Sequence, residues 1–332
     1  MSLALGRPIA VSLLLSLSLA TLSGKQAPTS RTSSSASGAA RFSVEETTIA
    51  QLQTAYLEGK ATAHEVTQSY INRILAYDKR GPYLNSIITL NEHALDDADK
   101  LDSALKATGK LTGPLHGIPV IVKDNLDTFD LPTTSGVALF KDFVPPKDAF
   151  VVARLRQAGA ILLAKASLSE LALGSPDTIN SVLPGFTRNP YNTAYASGGS
   201  SGGTGVAIAA NFGTVGIGTD TGSSVRSPAS INNLVGIRPT VGLVSRTGMA
   251  PLDSQRDTPG PMGRSVEDVA RLLDVMAGVD RNDVRTVAAE PYIPRTYTAI
   301  SRQERPQRRA YRRLPPDTQA RGRRGCPRCC AL

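Results

Sequence analysis

The stretch GGSSGGTGVAIAANFGTVGIGTDTGSSVRSP, residues 198–228, carries the reading on which the rest depends. Its middle predicts a small-residue helix followed by an apolar strand, and both flanks are dense in glycine and serine. Working outward, the same alternation of strand and helix continues. GIPVIVKDNLD (117–127) holds an apolar run, Ile118–Val122, expected as a buried strand that ends in Lys123-Asp124-Asn125. DAFVVARLRQAGAILLAKASLSE (148–170) predicts a helix, a turn at Gly159 and a strand over Ala160–Ala164. SVEDVARLLDVMAG (265–278) predicts a helix capped at its first residue. Upstream, Ser43-x-x-Glu46 and Thr62-x-x-Glu65 read as capping boxes of two helices with Gly59 as the stop between them, and residues 93–110 as a third, charged helix. Strands that alternate with helices predict an α/β layered domain with a mainly parallel or mixed central sheet.

The formal net charge of +9 is unevenly placed. Residues 301–332 contain ten arginines against Glu304 and Asp317, so the tail carries nearly all of it and the body is close to neutral. A basic arm for nucleic acid or an anionic membrane concerns that tail alone, and the body predicts no nucleic-acid partner. The three cysteines, Cys326, Cys329 and Cys330, also lie in the tail. They exclude a disulfide framework or cysteine nucleophile in the body, and with no nearby histidine they make a poor zinc site. At the other end, Arg7 precedes an apolar stretch from Ile9 to Leu22 and small residues after it. That stretch is short for a membrane span of about 20 residues and suits a signal peptide. The expected organisation is a signal peptide at 1–24, a Ser/Ala-rich linker at 25–41, a catalytic domain at 42–300 and a basic disordered tail at 301–332. The expected location is secreted or periplasmic, with an uncleaved anchor as the alternative.

Three chemistries compete for the glycine and serine stretches. A phosphate loop needs a lysine followed by Ser or Thr at its end, and Gly203-Thr204-Gly205 offers none. Gly198-Gly199-Ser200-Ser201-Gly202 satisfies the G-x-S-x-G elbow, but His64, His93 and His116 all precede it, and that architecture places its histidine after the serine. A lysine can replace histidine as base if burial depresses its pKa. Lys123, at the end of an apolar strand, fits this role; alternatively it reaches solvent or pairs with Asp124.

GIPVIVKDN, GGSSGGTGVAIAA, GTDTGSSVRSPASINNLVGIRPTVGLVSRTG and DTPGPMGRSVEDVARLLDVMAG resemble the amidase signature family in order and spacing, over residues 43–279. The resemblance implies a layered α/β fold with a central mixed sheet flanked by helices. It also implies hydrolysis of a carboxamide, peptide amide or other small amide through an acyl-enzyme, with no metal or organic cofactor. Carried onto this sequence, Lys123 would be the base, Ser200 the bridging serine on a cis peptide bond, and Ser224 the nucleophile. The backbone N–H groups of Thr221, Gly222, Ser223 and Ser224 would form the oxyanion hole. Ser223 stands where the family commonly has glycine, so a left-handed backbone there would be strained. Family members also continue well past this chain, so the sheet is expected to be incomplete at its C-terminal side. The alternatives are an inactive truncated fragment or a binding protein that uses the basic tail. No oligomeric state follows from the sequence.

Overall fold

The computed structural model describes residues 42–173 and 181–301, so the expected signal peptide, the linker and the tail beyond Ser301 lie outside the described residues. Six strands form one mixed sheet: β1 (Ile87–Leu90), β2 (Ile118–Lys123), β3 (Ala160–Ala166), β4 (Val215–Asp220), β5 (Val235–Gly236) and β6 (Thr258–Gly263). Their spatial order is β1-β3-β2-β4-β6-β5. β2 runs parallel to both β3 and β4, while β1, β6 and β5 join antiparallel. The central strands are buried on both faces, as helix-covered parallel strands must be. Ile118, Val120, Ile121 and Val122 of β2 and Ile161, Leu162 and Leu163 of β3 are all buried. Each such side chain contributes about 1.5–3 kcal/mol of apolar burial.

Helices close the two faces. α1 (Ile49–Leu57), α2 (Ala63–Arg73) and α3 (Ala94–Thr108) precede β2; α4 (Phe150–Gln157) crosses from β2 to β3 and turns at Gly159, whose φ is 84°. α5 (Gly202–Ala209) leads into β4 and is followed by α6 (Arg226–Ile231), α7 (Val266–Met276) and α8 (Val284–Ala289). α5 lies on the sheet face presented by Gly216 and Gly218. A Cβ at Gly216 would come within 2.5 Å of Thr204 Cγ2, and one at Gly218 within 2.7 Å of Ser201 Oγ. α7 lies on the other face, where a Cβ at Gly263 would meet Val269 Cγ2 at 3.0 Å. The small residues of α5 thus serve distance: they let the helix sit almost on the strands.

The helix starts show where local chemistry decides and where tertiary contacts override it. Thr62 and Glu65 form the expected capping box at α2. Ser43 and Glu46 do not form one. α1 begins at Thr48, whose box partner is Gln51. Glu46 instead takes a positive φ of 53°, and its N–H donates to Asn211 Oδ1 at 2.8 Å, so a long-range contact turns the chain before the helix begins. Ser265 caps α7 by accepting the Asp268 N–H, as its sequence predicts. β3 runs two residues past its expected end, to Ala166. β1, β5 and β6 are not among the expected strands, and β6 runs most against its sequence: Thr258-Pro259-Gly260-Pro261-Met262-Gly263 combines residues that disfavour interior strands, yet it pairs with β4 along its whole length.

The closest backbone approach in the α5 region is at Gly203, where a Cβ would stand 2.3 Å from the Ser167 carbonyl oxygen and 2.5 Å from the Ser167 nitrogen. Backbone cannot swing aside as a flexible side-chain end does. Gly203→Ala is expected to destabilise the fold by about 1–3 kcal/mol or more, read from the midpoint of urea unfolding. Gly222 is the control, because a Cβ placed there would find no heavy atom within 4 Å. Gly222→Ala should change stability by about 0.5 kcal/mol or less.

Candidate active site

Lys123 is the last residue of β2, and its pleat position turns it toward α5. It is fully buried, at 0% exposure. Its Nζ lies 2.8 Å from Ser200 Oγ, 2.8 Å from Thr219 Oγ1 and 3.4 Å from the Thr219 carbonyl oxygen. Among the described residues, none of the ion pairs involves this lysine. Burial pushes its ammonium down to about 7, against the opposing pull of the Asp220 and Asp257 charges. A neutral amine has two N–H bonds and one lone pair. Thr219 offers two oxygens for the two N–H bonds, which leaves the lone pair to the hydroxyl of Ser200. Thr219 is held in turn by Asn125, whose Nδ2 donates to its Oγ1 at 3.1 Å.

Ser200 precedes α5 and follows a cis peptide bond, Gly199–Ser200. It is buried, and its carbonyl accepts the Ser169 N–H at 3.1 Å. Its neighbour Ser201 ties α5 to β4: Ser201 Oγ donates to the Thr219 carbonyl at 3.1 Å and accepts the Thr219 N–H at 3.2 Å. The Ser201 N–H then donates to the Ser224 carbonyl at 3.2 Å, which holds the two serine-bearing segments together through the backbone. Ser224 itself is half-buried, and its Oγ makes no hydrogen bond among the described residues. Of the three expected triad residues, Lys123 and Ser200 therefore meet side chain to side chain, whereas Ser224 hydrogen-bonds neither of them among the described residues and is tied by its carbonyl to Ser201, the neighbour of Ser200.

The segment Thr221–Ser224 is clamped at both ends. Asp220, fully buried, pairs with Arg226 at 3.1 Å and Arg238 at 3.2 Å, and accepts the Val225 N–H at 3.1 Å. Burial alone would push the Asp220 carboxyl up, but these bonds outweigh it and hold the carboxyl below the usual range. Upstream, Thr221 Oγ1 donates to Asp257 Oδ1 at 2.5 Å, and the other oxygen of Asp257 accepts the N–H groups of Leu252 and Asp253, each at 2.8 Å. Between these anchors, the backbone N–H groups of Thr221, Gly222, Ser223 and Ser224 donate to no acceptor among the described residues. Four unmatched donors beside a half-buried serine are suited to an oxyanion. Ser223 does not adopt a positive φ, so the serine at this position carries none of the strain expected from the sequence.

The amidase family model matches residues 65–317 of the chain. The chain belongs to the amidase family. In the amidase fold it is similar to the native peptide amidase of Stenotrophomonas maltophilia, with a TM-score of 0.72 and 42% identity over 77% of this chain and 53% of that one. It is also similar to one subunit of the glutamyl-tRNA(Gln) amidotransferase of Symbiobacterium thermophilum, at 42% identity over 243 residues, 73% of this chain and 49% of that relative. A putative amidase of Schizosaccharomyces pombe is 41% identical over 250 residues. The chain spans about half the length of the curated relatives it matches. The family match runs into the arginine-rich stretch that sequence composition sets apart at 301.

Asp124, the alternative partner for Lys123, is engaged elsewhere: it pairs with Lys165 at 3.0 Å. Thr219, Asn125, Asp220 and Asp257 are the residues that sequence reasoning missed. The signal for two of them was present in GTDTG, where a Thr and an Asp sit at the C-terminal end of a strand, the end at which α/β sheets build their sites. Among the described residues, no group of three or more His, Cys, Asp or Glu side chains is placed to hold a metal ion, and no helix is long and apolar enough to cross a membrane.

Asp220→Asn should weaken the clamp and lower stability at neutral pH by about 1–3 kcal/mol, measured by urea unfolding. A carboxyl depressed in the fold lends stability that is present above its unfolded value, about 3.9, and lost as pH falls through the folded one. The wild type and the variant should therefore converge in acid; a gap that persists unchanged at pH 2 would contradict the clamp.

Proposed function

We propose that the protein hydrolyses an amide, a carboxamide or the amide of a small or peptide-like acyl group, through an acyl-enzyme on Ser224, with Lys123 as base and Ser200 as the proton relay. The observation that carries this reading is the fully buried Lys123, with Nζ 2.8 Å from Ser200 Oγ and only uncharged oxygens against it among the described residues. A neutral lysine takes the proton of Ser200 as Ser200 takes that of Ser224, and Ser224 Oγ attacks the amide carbonyl. The developing oxyanion faces the N–H groups of Thr221, Gly222, Ser223 and Ser224. Each well-placed donor of this kind is worth about 3–4 kcal/mol to the transition state. The proton then returns through Ser200 to the leaving nitrogen, which departs as ammonia or amine, and water repeats the cycle on the acyl-enzyme. The similarity to a peptide amidase supports a peptide-amide substrate ahead of the amidotransferase reaction, because nothing in the chain's near-neutral body favours a nucleic-acid partner. The apolar stretch Ile9–Leu22 supports export from the cytosol.

Two measurements test the reading. Ser224→Ala should abolish covalent labelling by a fluorophosphonate, whereas Ser201→Ala should still be labelled; labelling of Ser224→Ala would remove Ser224 as nucleophile. The hydrolysis rate on a panel of peptide, aryl and fatty-acid amides should fall below about pH 7, because a lysine titrating near 7 is neutral and competent only above that value. Activity unchanged down to pH 5 would exclude Lys123 as the base.

A further inference from the structure

Behind the site lies a second buried lysine that this mechanism does not use. Lys165 on β3 stands in register with Val122, one residue before Lys123, so the pleat places it on the opposite face of the sheet from the base. Lys165 and Asp124 are both fully buried and pair at 3.0 Å. Lys165 Nζ also donates to Thr133 Oγ1 at 2.8 Å, to the Pro132 carbonyl at 3.0 Å and to Thr128 Oγ1 at 3.2 Å. The other carboxylate oxygen of Asp124 accepts the Thr134 N–H at 3.0 Å and the Thr134 hydroxyl. The backbone of Asp124 is fixed as well: its N–H donates to the Ala166 carbonyl at 3.1 Å, and its carbonyl accepts the Ser135 N–H at 2.9 Å.

A charged lysine and a carboxylate are expensive to bury, and such a pair is seldom a net source of stability. Its location suggests another purpose. Asp124 is covalently next to the base, and an uncompensated carboxylate there would favour the ammonium form of Lys123. The segment held by the pair also leads back to the site. The Ser135 carbonyl accepts the Leu171 N–H at 2.8 Å, and the Ser169 N–H, two residues earlier, donates to the Ser200 carbonyl at 3.1 Å.

We propose that Lys165 is a positioning residue for the base: paired with Asp124, it cancels the carboxylate beside Lys123 and anchors the segment that leads to Ser200. The proposal rests on the reading of Lys123 as base. The charged groups that act on Lys123 are Asp220 and Asp257 from the β4–β6 side and, if unpaired, Asp124 next to β2; those that act on Lys165 are Asp124, Asp127 and Asp130. Asp220 is already matched by Arg226 and Arg238, which leaves the Asp124 charge as the one that Lys165 controls.

The test uses the full chain with lysine labelled by carbon-13 at Cε. The Lys123 resonance is assigned by its loss in Lys123→Met, and its titration midpoint is followed by NMR. Lys165→Met should raise the midpoint, by up to about one pH unit for an Asp124 that stays ionised. Asp124→Asn should lower it, and the double variant should return it to near the wild-type value. The acidic limb of the fluorophosphonate labelling rate should move in step with the midpoint. Should Lys165→Met fail to fold, Asp124→Asn and the double variant carry the same comparison. A midpoint common to the wild type and every folded variant would overturn the proposal and leave the pair a structural brace. The base assignment fails separately: Lys123→Met that still acylates Ser224 at the wild-type rate would refute it whatever the midpoints show.

Discussion

A lysine driven into the interior with only uncharged oxygens against it is the constraint around which the site is arranged. Transfer of an ammonium from water to an apolar setting is so unfavourable that the group gives up its proton instead. Everything near Lys123 respects that outcome. The nearest oxygens belong to two hydroxyls and a carbonyl, which hydrogen-bond an amine without fixing its charge. The carboxylates in the neighbourhood are turned to other tasks: Asp220 faces two arginines, Asp257 takes backbone N–H groups and a threonine hydroxyl, and Asp124 faces Lys165. The acids are not absent from the site; they are occupied.

The second organising feature is the distance between α5 and the sheet. Ser200 and Ser201 open this helix, and Thr219 and Asp220 close the adjacent strand, so the helix-to-strand spacing sets how near the two serine segments come. The reciprocal bonds between Ser201 and Thr219 lock that spacing in register. Family membership is consistent with this arrangement, since the matched region contains every residue of the site.

Much of this was legible from sequence, and the failures have physical causes. Strands β2 and β3 announce themselves because strands buried on both faces read as long apolar runs, and β4 by Val215 and Ile217 following a small-residue helix. The Thr62 and Ser265 caps were legible because a cap is a local bond within one turn. The Ser43 box failed since its Glu46 found a partner in Asn211, far along the chain. β6 was invisible for the opposite reason: its ladder with β4 overrides two prolines and two glycines that locally argue against a strand. At the site, resemblance supplied Lys123, Ser200 and Ser224, and the strand-end position of Lys123 gave an independent reason for the first. The Thr219 contact and the engagement of Asp124 by Lys165 could not be read, because each is a pairing between strands that only the sheet order brings together. The strain anticipated at Ser223 was an inference from residue type, and the backbone there never enters the left-handed region.

The near-contact of α5 with β4 has a consequence for how such a protein can change. Side chains at positions 203, 216 and 218 are opposed by neighbouring atoms whatever is bound, since a Cβ at any of them would approach another atom to 2.7 Å or less. The floor of the site is therefore closed to substitution on steric grounds alone. Room for an added side chain is found instead at Gly222, where a Cβ would meet open space. Packing alone thus decides where the sequence can change beside α5, and it leaves Gly222 to be constrained only by what its backbone does.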